Sequence, residues 1–71
     1  MSTAGLVKRS VTIAGHRTSI SLEPLFWEAL VAAAAADGKS LNGLVAEIDE
    51  ARTTNLSSAI RVFLFDRERR S

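Results

Sequence analysis

Cysteine is absent from this chain, which removes disulfides, thiolate metal sites and cysteine nucleophiles together. The single histidine, His16, cannot build a zinc site alone, so no metal site is expected, and no glycine-rich phosphate loop is present. Long hydrophobic runs are also missing. The longest, Ala29 to Ala36, falls well short of the roughly 20 residues that a membrane span needs. Lys8 and Arg9 are followed by only a few apolar residues before Gly15, too few for a secretory signal. The expectation is a cytoplasmic protein with no membrane partner. At 71 residues there is room for one small domain, residues 1–71, and little volume for a pocket. Glu23, His16 and the nearby serines therefore make a poor catalytic set; no enzyme, catalytic residue or cofactor is implied. A core of this size supplies only about 3–5 kcal/mol. With disulfides and metals excluded and 46% of residues apolar, oligomerisation is the remaining source of stability, and a homodimer is expected.

The formal net charge is +1, but its distribution is uneven. Residues 1–22 carry Lys8, Arg9 and Arg17 and no acid. Residues 23–50 carry Lys39 against six acids, and residues 51–71 carry five arginines against Asp66 and Glu68. A basic amino-terminal segment on an acidic body can meet a polyanion through one end.

From Val7 to Leu22 the pattern has period two, interrupted at Ala14-Gly15. If those two residues form the turn, Ile13 faces His16, Thr12 faces Arg17, Ser10 faces Ser19 and Lys8 faces Ser21. One face then carries Val7, Val11, Ile13, Thr18, Ile20 and Leu22, with Arg9 as its odd member. The other carries Lys8, Ser10, Thr12, Arg17, Ser19 and Ser21. The alternation predicts a hairpin of strands 7–13 and 16–22 with one buried and one wet face. Pro24 opens a helix over 24–37 that Gly38 stops, with Phe26, Leu30, Ala33 and Ala34 at helical spacing. Ser40 caps a second helix over 41–52 with the apolar stripe Leu41, Leu44, Val45 and Ile48. Asn55 caps a third over 56–68 with Leu56, Ala59, Ile60, Phe63 and Leu64. The fold class is α+β: a hairpin followed by three helices, with no parallel crossover.

The segment Arg17-Thr18-Ser19-Ile20-Ser21-Leu22, then a helix, then Gly38-Lys39-Ser40 and a second helix, resembles the ribbon-helix-helix superfamily of dimeric DNA-binding proteins. Lys8-Arg9-Ser10-Val11, Gly15-His16, Phe26-Trp27, Ile48-Asp49 and Asn55-Leu56-Ser57-Ser58-Ala59 extend the likeness to a mostly uncharacterised bacterial family of that superfamily. The resemblance implies an intertwined homodimer in which two 17–22 strands pair antiparallel above the interlocked helices of residues 24–51. Thr18, Ile20, Leu22, Phe26, Leu30, Leu44, Val45 and Ile48 would form its core. It further implies that Arg17, Ser19 and Ser21 contact bases in the major groove of double-stranded DNA, as in a transcriptional repressor or regulator. Arginine suits guanine O6 and N7, whereas serine specifies weakly. Ser40, Leu41 and Asn42 at the start of the second helix, with Lys39 and Lys8, would contact phosphates.

The extra strand 7–13 departs from the simpler pattern. Four strands at about 4.8 Å spacing put the outer backbones roughly 14 Å apart, against a major groove about 12 Å wide. Either this strand bends away as a basic arm, or it obstructs deep insertion; the segregated faces favour obstruction, so deleting residues 1–13 should raise DNA affinity. The alternative function is a dimeric interaction module that binds another protein, with incidental DNA affinity. His16 is expected to make a structural hydrogen bond, and Trp27 to pack at the dimer interface or on the third helix. An obligate dimer is expected, because one chain lacks the surface to cover both its strand and two apolar helical stripes.

Overall fold

The computed structural model describes residues 5–70. Two strands, β1 (Val7–Ile13) and β2 (His16–Leu22), are followed by α1 (Pro24–Ala36), α2 (Leu41–Ala51) and α3 (Leu56–Arg70). The strands pair antiparallel from Val7 opposite Leu22 to Ile13 opposite His16, the register that the alternation implies. Ala14 and Gly15 turn the chain with φ of 52° and 83°. Both residues of a tight hairpin turn need this left-handed backbone to match the strand twist, and only glycine adopts it freely. Ala14 is therefore a strained choice at the tip.

The end of α1 and the starts of α2 and α3 each have a local chemical cause. Gly38, with φ of 68°, ends α1: its N–H donates to the Ala35 carbonyl at 3.1 Å, and the Lys39 N–H donates to that of Ala34 at 2.9 Å. These two bonds satisfy carbonyls that the helix leaves open. Ser40 Oγ accepts the Gly43 N–H at 2.9 Å, and Asn55 Oδ1 accepts the Ser58 N–H at 2.9 Å, starting α2 and α3. A Cβ on Gly43 would lie 3.0 Å from Ser40 Oγ, so glycine gives the cap its close approach.

The three helices pack on one face of the hairpin, α2 against β1 and α3 against β2. Val11, Ile20, Leu22, Trp27, Leu30, Ala33, Ala34, Leu44, Val45, Ile48, Ile60 and Leu64 form the core. Leu22, Leu30 and Val45 are 0% exposed within one chain. The premise of an obligate dimer is corrected here: β1 and α3 cover the strand and helix stripes that residues 16–51 alone would leave open. Ile20, Leu22, Leu30, Leu44, Val45 and Ile48 are buried inside one protomer, while Thr18 and Phe26 are half-buried.

Trp27 is a second correction. It is 2% exposed and more deeply buried than Phe26, and it packs against β1 rather than on α3. Its Nε1 donates to the Val7 carbonyl at 2.8 Å, and the Arg9 guanidinium stacks 5.2 Å from its ring centre. That contact explains why a cation sits on the inner face of β1. Val11 and the Trp27 bond make β1 part of the core, not a detachable arm. Removing residues 1–13 thus tests folding before it tests groove access.

Candidate nucleic-acid interface

The outer face of the hairpin is the surface the helices leave uncovered. Lys8, Ser10, Thr12, Arg17 and Ser19 are exposed there, and Ser21 is half-buried. The face is set by the period-two geometry of the strands, which sends Val11, Ile20 and Leu22 to the opposite side. It is acid-free, because residues 5–22 contain no aspartate or glutamate.

The other basic side chains are committed elsewhere. Lys39 pairs with Glu47 at 2.6 Å, Arg52 with Asp49 at 2.7 Å and Arg61 with Glu23 at 3.0 Å. Arg67 grips Asp37 with two bonds of 2.8 and 3.1 Å, and Arg70 lies 3.1 Å from Asp66. Arg9 stacks on Trp27, and Arg69 lies over Phe65 at 6.0 Å. Among the described residues, Lys8 and Arg17 have no such partner, and both stand on the outer face. Arg67 holds the Asp37 carboxyl below its ordinary value, with help from the charge of Lys39. Glu23 is lowered too, first by its own backbone N–H and then by Arg61.

The start of α2 adjoins this face at the turn end of the hairpin. The Thr12 N–H donates a long 3.4 Å bond to Asn42 Oδ1, and Thr12 is the cross-strand partner of Arg17. Leu41 and Asn42 occupy the first two helical positions, whose N–H groups have no intrahelical acceptor. The α2 terminus thus lies beyond the outer edge of β1, separated from Arg17 by one strand. Ser40 spends its hydroxyl on the cap, and Lys39 is tied to Glu47, so the terminus presents backbone N–H groups more than free charge. His16 is exposed beside the turn with no side-chain hydrogen bond among the described residues, which corrects its expected structural role.

The two edges of the sheet differ. In this register Arg17, Ser19 and Ser21 point their backbone groups away from β1. The Ser21 carbonyl accepts the Ser57 hydroxyl at 3.1 Å, whereas the Arg17 and Ser19 backbones stay open to another strand. Sequence reasoning found the outer face through alternation. It named Asn42 at the start of α2 but missed its bond to Thr12, the Ser57 bond to β2 and the ion pairs of Arg61 and Arg67, because these join residues distant in sequence, thirty apart for Arg67 and Asp37.

No helix among the described residues is long and apolar enough to cross a membrane. The sequence matches the ribbon-helix-helix domain family over residues 6–67. A solved structure of an uncharacterized protein from Bordetella pertussis Tohama I superposes with a TM-score of 0.77 at 28% identity. The match covers 93% of this chain and 58% of that one. Comparison with curated proteins yields no match.

Proposed function

This chain belongs to the ribbon-helix-helix domain family, whose members generally bind DNA as transcription regulators, and from that premise we propose that it is a homodimeric, sequence-specific DNA-binding protein, a repressor or regulator that occupies its operator. The observation that carries the proposal is the acid-free outer face of the hairpin bearing the two uncommitted cations, Lys8 and Arg17. Two β2 strands pair through their open edges, which gives a four-stranded sheet with Arg17 on both central strands.

The width of that sheet shapes the mechanism. Because β1 is paired along its whole length, the outer backbones lie roughly 14 Å apart and the sheet rests across the mouth of a groove about 12 Å wide. Arg17 has the length to reach guanine edges from there. Ser19 and Ser21 are short, and they contribute through close approach or bridging water. Lys8 and the N–H groups of Leu41 and Asn42 lie toward the phosphate ridges, with Ser40 and Lys39 beside them.

Selection from a randomised duplex library, followed by anisotropy titration of the selected and random duplexes, tests this. A dimer making about 6–10 phosphate contacts loses roughly 10³–10⁵ in affinity between 50 and 200 mM salt. Arg17→Ala should cost about 1–3 kcal/mol on the selected sequence and flatten its preference over random DNA. Lys8→Ala should weaken both duplexes alike and reduce the salt slope. Equal binding of wild type and Arg17→Ala to both duplexes contradicts groove reading and favours a protein-interaction module on the same scaffold.

A further inference from the structure

We propose that the outer row of β1, Ser10 and Thr12, is a second contact row for the duplex, one that grips the phosphates of the groove walls through uncharged hydroxyls while Arg17 on β2 reads bases. The inference rests on the DNA-binding reading above and gives a role to the strand that flanks the central ribbon. Ser10 and Thr12 are exposed on the same face as Arg17, and among the described residues neither hydroxyl has a hydrogen-bond partner. Thr12 stands directly across from Arg17, and Ser10 across from Ser19.

Three observations direct this row to phosphates. The first is its place in the sheet. With the two β2 strands at the centre, a spacing of about 4.8 Å puts each β1 backbone roughly 7 Å from the two-fold axis, whereas the wall of a groove about 12 Å wide lies roughly 6 Å from it. Arg17 is thereby centred over base edges, and the β1 row stands over the phosphate ridge. The second is the chemistry of the row. Phosphate oxygens only accept hydrogen bonds, and Lys8, Ser10 and Thr12 can each donate one, with no aspartate or glutamate in residues 5–22 to repel the ridge. The third is the way β1 is held. The Val7 carbonyl accepts the Trp27 Nε1 bond at 2.8 Å, the Thr12 N–H donates to Asn42 Oδ1 at 3.4 Å, and Val11 between them is 4% exposed. A row fixed at both ends and in the middle meets the duplex already in place, so little ordering offsets the contact. Hydroxyls displace no condensed counterion. The row therefore adds affinity without adding salt dependence, and adds it equally on every sequence.

The test is anisotropy titration of the full chain with the selected and random duplexes at two salt concentrations. Wild type is compared with a variant carrying both Ser10→Ala and Thr12→Val, the latter keeping the β-branched shape. Circular dichroism checks folding, and the two single variants carry the test should the double variant lose structure. Each protomer loses two hydroxyls, so affinity should fall about 10- to 100-fold on both duplexes alike, with the salt slope unchanged. Replacing wall phosphates by uncharged methylphosphonates should then weaken wild type more than the double variant. Unchanged affinity in the double variant, beside an Arg17→Ala that still flattens sequence preference, overturns this inference and leaves the DNA-binding reading intact. A loss confined to the selected duplex assigns the row to bases and overturns it as well, as does a shallower salt slope. A wild type that binds neither duplex overturns both readings.

Discussion

At the scale of single residues, function depends on which charges remain uncommitted. Nine basic side chains are scattered along the chain, yet internal contacts leave Lys8 and Arg17 as those offered outward. The same pairings predict how stability responds to acid. In the folded chain Glu23 and Asp37 titrate below their ordinary values of 4.5 and 3.8, held down by the hydrogen bonds described above. The unfolded chain then binds more protons in this range, so their contribution is whole above those ordinary values and is lost as pH falls through the depressed ones. Thermal melts from pH 6 to pH 2 should show a declining acid limb. Its slope should flatten in a variant carrying both Glu23→Gln and Asp37→Asn; an unchanged slope would mean that other carboxylates control the acid response. Arg9 shows what composition alone conceals. Its charge suggests nucleic-acid contact, and its position over Trp27 makes it a packing residue.

At the scale of elements, the hairpin and the helix ends are governed by local chemistry, and local chemistry is what a sequence displays. Period-two alternation makes a one-residue slip costly, so the faces and register of β1 and β2 were legible. Ser40, Asn55 and Gly38 mark the helix termini through bonds to residues within a few positions. The buried side of α1 was less legible, because alanine fills both its inner and outer positions and offers no polar contrast. Trp27 and Phe26 consequently exchange the depths that spacing suggested. The covering role of β1 and α3 also depended on contacts between distant segments. The turn offers a direct check at this scale. Ala14 holds φ of 52°, which costs an alanine about 1 kcal/mol relative to a residue suited to that region. Ala14→Asn, which creates the favoured Asn-Gly turn, should stabilise the protein by roughly 0.5–1 kcal/mol and raise Tm by several degrees. A lower Tm in calorimetry would show that the turn differs from this geometry.

At the scale of the whole molecule, one chain closes its own core and leaves three surfaces with different chemistry: a basic polar sheet face, an open strand edge and an apolar helical face. In the proposed assembly DNA takes the first and the matching strand of a second copy takes the second. The segregation of faces was visible in the sequence, whereas the apolar face was not, since Val62 and Phe65 lie among residues that read as one helical stripe. The central claim is that the outer face of the hairpin is the DNA-binding surface. Amide spectra of nitrogen-labelled protein, titrated with the selected duplex, test it most directly. The largest shifts are expected at Lys8, Ser10, Thr12, Arg17, Ser19 and Ser21 and at the Leu41 and Asn42 amides, with α1 unaffected beyond its first turn. Shifts concentrated on the basic end of α3, with the hairpin amides unmoved at saturation, would contradict it.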